Sequence, residues 1–167
     1  MAPEFSRLID RHRLPLGPLD LLANEAERIA LARRFAVIAV ERLTATVTLA
    51  DDGKAVTATG RLRAAIVQSC AVSGEDLAAV IDEPLALRFV PEQLAVGDEI
   101  ELEAGALDDI PFAGDVFDLG ETVAQSLALA IDPYAVGPNA ERVRRAAGLL
   151  DKTAAGPFAA LTALKKG

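Results

Sequence analysis

The only cysteine of the chain, Cys70, sits in the stretch IVQSCAVSGED, at the close of an alternating apolar run and just ahead of a Ser-Gly-Glu-Asp turn. As a nucleophile, a thiol needs a neighbouring base to raise its thiolate fraction. The single histidine, His12, lies on a loop-like N-terminal arm, so a Cys–His pair requires that arm to fold across the strands. A metal or redox centre asks for a second thiol at Cys-x-x-Cys spacing, and Ser73 occupies that position. Free cysteine is among the most buried residue types. Cys70 is therefore read as structural, a small side chain closing a strand.

Carboxylates are the other group able to do chemistry. Asp98, Glu99, Glu101, Glu103, Asp108, Asp109, Asp115, Asp118 and Glu121 crowd one stretch. Paired carboxylates can exchange protons with a substrate, and Asp108, Asp109 and Asp115 could offer oxygen ligands to Mg²⁺ or Ca²⁺. Their spacing fits no EF-hand loop, and their density makes any one pair unspecific. The chain has no GxGxxG, Walker, HExxH or GxSxG pattern. The residues alone give no catalytic group, no metal and no cofactor.

Charge is distributed unevenly along the 167 residues, whose net charge is −8. Residues 1–70 carry +2, residues 71–141 carry −15, and residues 142–167 carry +5. The middle segment repels phosphate backbones and attracts basic partners, or else forms a solvated face. Asp98, Glu99, Glu101, Glu103, Asp108 and Asp109 are its candidate partner-binding residues. Arg142, Arg144, Arg145, Lys165 and Lys166 are the candidates for lying near RNA. Aromatics make up 4% of the chain, with no tryptophan, so stacking partners for bases are scarce.

These residues need elements to hold them. Asn24 with Glu27 three positions on reads as the capped start of a helix over EAERIALARR. Leu43, Ala45, Val47 and Leu49 alternate with threonines, and after Asp51-Asp52-Gly53 the alternation resumes from Val56 to Ile66, which predicts a β-hairpin. Gly60, in mid-strand, marks a bulge or a close backbone approach. A third run, AVIDEPLALRFVPE, is expected to pair antiparallel with the second, with Pro84 marking an edge or a bulge. DEIELEA reads as a short acidic strand, and residues 104–117 as loop. Asp118 and Glu121 open a second helix near 119–131, whose Leu119, Val123, Leu127 and Ile131 form an apolar stripe with Ala124 and Ala128 until Pro133 stops it. Leu129 falls on the opposite side.

The expected architecture is α+β: an antiparallel, partly barrel-like sheet, an N-terminal helix, the capped helix near 119–131, and a basic C-terminal tail. Residues 1–141 are expected to form one domain, and 142–167 the tail, which has a short amphipathic segment. No stretch approaches the ~20 apolar residues that span a bilayer, and MAPEFSRLIDRHR has no apolar signal region. A cytoplasmic protein without membrane contact is the expectation.

The order and spacing of VTATGRLRAAIVQSC, the acidic loop, FDLGETVAQSLALAIDPY and the closing PFAAL resemble the YceD-like family of large ribosomal RNA subunit accumulation proteins. The likeness is greatest to its alphaproteobacterial branch and runs from about Glu27 to the C-terminus. It implies a role in ribosomal RNA accumulation and hence in ribosome assembly, and the charge map then makes ribosomal or assembly proteins the expected partners. Many members carry Cys-x-x-Cys where this chain has Cys70-Ala71-Val72-Ser73, so Cys70 matches the first cysteine and Ser73 replaces the second. Two classes follow. One is a noncatalytic assembly factor acting through its acidic surface. The other is an RNA-processing or metal-dependent enzyme using the carboxylates of 108–121. The charge map favours the first.

Overall fold

A computed structural model describes residues 3–95 and 108–148, and the chain divides into two compact units. The first comprises Met1–Val67 and Ala78–Ile131; the second comprises Gln68–Leu77 and Asp132–Gly167.

The N-terminal segment gives β1 (Leu8–Asp10), a 3-10 turn at Arg11–Arg13 and β2 (Leu19–Leu22). Helix α1 (Glu25–Phe35) starts as its residues dictate. Asn24 Oδ1 accepts the Glu27 N–H at 2.9 Å, and the Glu27 carboxylate accepts the Asn24 N–H at 2.8 Å, a reciprocal capping box. The helix ends at Ala36, whose φ of 54° is left-handed, a conformation usually left to glycine.

Strands β3 (Ala39–Asp51) and β4 (Val56–Ser69) form the expected hairpin, in register from Asp51↔Val56 to Ala39↔Val67 with one shift at Glu41. Its loop is closed by aspartates: Asp51 accepts the Gly53 N–H, and Asp52 accepts those of Lys54 and Ala55. Leu43, Ala45, Val47 and Leu49 are buried, as are Val56, Ala58, Leu62, Ala64 and Ile66 on the facing strand. Each large side chain so buried contributes about 1.5–3 kcal/mol. Gly60 is a close approach rather than a bulge. The register runs through it unbroken, and a Cβ there would lie 1.9 Å from the Thr46 carbonyl oxygen.

Strand β5 (Asp76–Pro91) is followed by the single turn α2 (Glu92–Ala95), then by β6 (Asp108–Phe112) and β7 (Val116–Asp118). The main sheet has the order β2-β3-β4-β5-β6, and β1 pairs antiparallel with β7 in a separate two-stranded sheet. Three expectations are corrected here. Residues 108–118 hold two strands, not a loop. The β5–β6 pair is parallel, Leu87↔Asp108 to Pro91↔Phe112, so the sheet is mixed. Among the described residues the sheet is open, with β2 and β6 at its ends, and the partly barrel-like closure is not found. Because β6 covers only Leu87–Pro91, Pro84 lies on a stretch of β5 that has no strand on that side among the described residues, which suits a residue without an N–H. DEIELEA lies outside the described residues.

Helix α3 (Leu119–Ala130) buries Leu119, Val123, Ala124 and Leu127, while Ile131 is half-buried and Ala128 is exposed, so the apolar stripe is narrower than expected. Leu129 is 88% exposed. The scarce aromatics gather: the rings of Phe89 and Phe117 stack at 4.2 Å, with Phe112 5.5 Å from Phe117. The second unit contributes α4 (Ala140–Ala146). Among the described residues no helix is long and apolar enough to cross a membrane.

Candidate functional site

Asp98, Glu99, Glu101, Glu103, Lys165 and Lys166 lie outside the described residues. Of the remaining acidic candidates, Asp109 and Asp115 each have a side-chain partner. Asp108 opens β6, and Asp109 beside it takes both oxygens to Arg88 Nη1, at 3.1 and 3.2 Å. Asp115 meets His12 Nε2 at 3.1 Å. Among the described residues no three His, Cys, Asp or Glu side chains come together as a metal site.

Asp118 caps α3, accepting the Glu121 N–H at 3.1 Å. It does more than cap, because it also accepts the Arg7 N–H at 2.8 Å and the Ser6 hydroxyl at 2.6 Å. Glu121 does not complete a capping box. Its carboxylate faces Arg34 on α1, which also holds Glu4 at 2.9 Å. Arg34 accordingly holds the Glu121 carboxyl below its ordinary pKa. A parallel clasp joins Arg7 to both oxygens of Glu27, at 2.7 and 3.0 Å. Together these contacts fasten the segment before β1, with Phe5 fully buried, to α1 and α3. Gly120 permits the approach, since a Cβ there would lie 2.7 Å from the Phe5 carbonyl oxygen and the Arg7 nitrogen. Sequence reasoning missed this network, whose bonded pairs are up to 112 residues apart.

The second unit is organised around Cys70. The side chain is 3% exposed, and its sulfur accepts the N–H groups of Ser73 and Gly137 at 3.3 Å and of Val72 at 3.5 Å. Hydrogen bonds from the Ser73 side chain and amide, then from the Gly137 amide, lower the thiol to about 6. The loop bearing Cys70 also pins the 132–139 segment. Ala71 N–H donates to the Ala135 carbonyl at 2.9 Å, Gln68 donates to the Asp132 carbonyl at 2.7 Å, and Glu75 accepts Asn139 Nδ2 at 2.7 Å. Asn139 begins α4, where Arg142 and Arg145 are exposed and Arg144 is half-buried. Cys70 is thus an acceptor at the centre of a hydrogen-bonded loop pair, which is more polar than an apolar strand end.

The family model for large ribosomal RNA subunit accumulation protein YceD matches residues 58–165. The match begins at Ala58 in β4, later than the start near Glu27 expected from the sequence. No curated protein and no solved structure matches the chain.

Proposed function

Because this chain belongs to the family of large ribosomal RNA subunit accumulation proteins YceD, we propose that it is a noncatalytic factor supporting accumulation of the large-subunit ribosomal RNA and ribosome assembly. Its acidic segment engages a basic ribosomal or assembly protein, and its basic C-terminal residues lie nearer the RNA. The observation that carries this reading is the family match over most of the chain, read with the charge map. Sixteen acids against one base in residues 71–141 oppose a phosphate backbone and complement a basic protein. The pairing of Asp109 with Arg88, of Asp115 with His12 and of Glu121 with Arg34 supports a binding role over carboxylate catalysis.

The test uses a strain lacking the protein. The wild-type chain restores large-subunit rRNA, and charge reversal at Asp98, Glu99, Glu101 and Glu103 abolishes both restoration and capture of basic ribosomal proteins without unfolding the domain. Full restoration by that variant, or tight salt-sensitive binding to naked rRNA that survives loss of residues 142–167, overturns the assignment.

A further inference from the structure

Building on that reading, we propose that the ring of Tyr134 and the guanidinium groups of Arg142 and Arg145 form a binding surface for single-stranded RNA. All three residues belong to the second unit. Tyr134 is 80% exposed, although tyrosine normally contributes its ring to packing. Its backbone is nevertheless fixed. The Tyr134 N–H donates to Asp132 Oδ1 at 2.9 Å, and the Ala135 carbonyl on its other side accepts from Ala71. The ring is therefore displayed by a pinned turn.

Arg142 and Arg145 lie three residues apart, on one face of α4, and both are exposed. Arg7, Arg11, Arg34, Arg61, Arg63 and Arg88 all pair with carboxylates. Arg142 and Arg145, like Arg13, Arg28, Arg33, Arg42 and Arg144, form no such pair among the described residues; Glu75, whose carboxyl is held below its ordinary pKa first by Asn139 and in part by the Arg142 charge, is hydrogen-bonded by Asn139. Exposed guanidinium groups bind phosphates, and an aromatic ring stacks on any base. Bases stacked within a duplex cannot reach such a ring, so the ligand is single-stranded. The positive balance of residues 142–167 adds attraction for the backbone.

The chain has one tyrosine and no tryptophan, so its intrinsic fluorescence reports on position 134 alone. The experiment titrates the full chain with a single-stranded 12-nucleotide RNA, the matching duplex and a poly-glutamate peptide. It follows tyrosine emission, corrected for RNA absorbance, and the anisotropy of a labelled strand. Quenching by the single strand alone is expected. Tyr134→Ala should weaken binding about 5- to 100-fold, Tyr134→Phe by no more than about threefold, and Arg142→Ala with Arg145→Ala should lower the salt slope by about 1–2. Equal binding by Tyr134→Ala, stronger binding of duplex or poly-glutamate, or no RNA binding at all overturns the proposal. The family role stands or falls separately, on restoration of rRNA by the wild-type chain.

Discussion

Arg34 donates through both terminal nitrogens to the two carboxylate oxygens of Glu121, at 2.9 and 2.7 Å, across 87 positions of sequence. The side chains are 29% and 23% exposed, so the pair ranks between a surface ion pair and a buried one. Glu121→Gln should cost about 1–2 kcal/mol at neutral pH. The carboxyl is held below its unfolded value, so its contribution is complete above the unfolded pKa near 4.5 and is lost as pH falls through the lower folded one. Urea denaturation at pH 7 and pH 3 checks this: the gap between wild type and variant should shrink in acid. A gap independent of pH would show that Arg34 does not recognise the charge.

Asp118→Ala removes the acceptor of the Glu121, Arg7 and Ser6 donors at once. A lost cap alone costs about 0.5–2 kcal/mol, and the two further donors raise the expected loss to about 2–3 kcal/mol. Asp118→Asn keeps an acceptor for the helix and should recover roughly half. Chemical denaturation of the two variants side by side gives the comparison.

On α3, two leucines separated by one position should behave oppositely. Leu127 is fully buried in the core, and Leu127→Ala should destabilise by about 2–5 kcal/mol. Leu129→Ala should stay within about 0.5 kcal/mol. Thermal melts of both variants decide whether the helix faces the core as described.

The Ser73 hydroxyl, and after it the amides around Cys70, favour its thiolate, so the folded pKa of about 6 lies below the 9.0 of a free thiol. Between those values the unfolded chain binds the extra proton, and stability from this group therefore rises with pH. The melting temperature of wild type should exceed that of Cys70→Ala by a margin that widens from pH 6 to pH 9. A margin that is flat or narrows across that range would falsify the hydrogen-bonded thiolate.

What could be read in advance follows from distance along the chain. The Asn24 cap, the Asp51-Asp52-Gly53 turn and the Asp118 cap depend on neighbours within about four residues, and those residues announce them. Strands β2, β6 and β7 span three to five residues with little alternation, so period-two patterning could not mark them. The parallel β5–β6 pairing is set by where the chain returns, which local composition does not encode. Glu121 is instructive because its spacing from Asp118 matches a capping box, yet a distant arginine takes its carboxylate. Cys70 was legible as buried, but not as an acceptor, because one of its donors, Gly137, is 67 positions away.

The pairing of β1 with β7 governs when this protein can be finished. Arg7 and Asp118 are 111 positions apart, and contacts of such separation form only after a long loop has closed. At about 5–20 residues per second, synthesis leaves roughly 5–20 seconds between the emergence of the two partners. During that interval Phe5 and the inner face of the hairpin have no α3 to cover them. Completion of the first unit is thus timed by the arrival of residues 116–121.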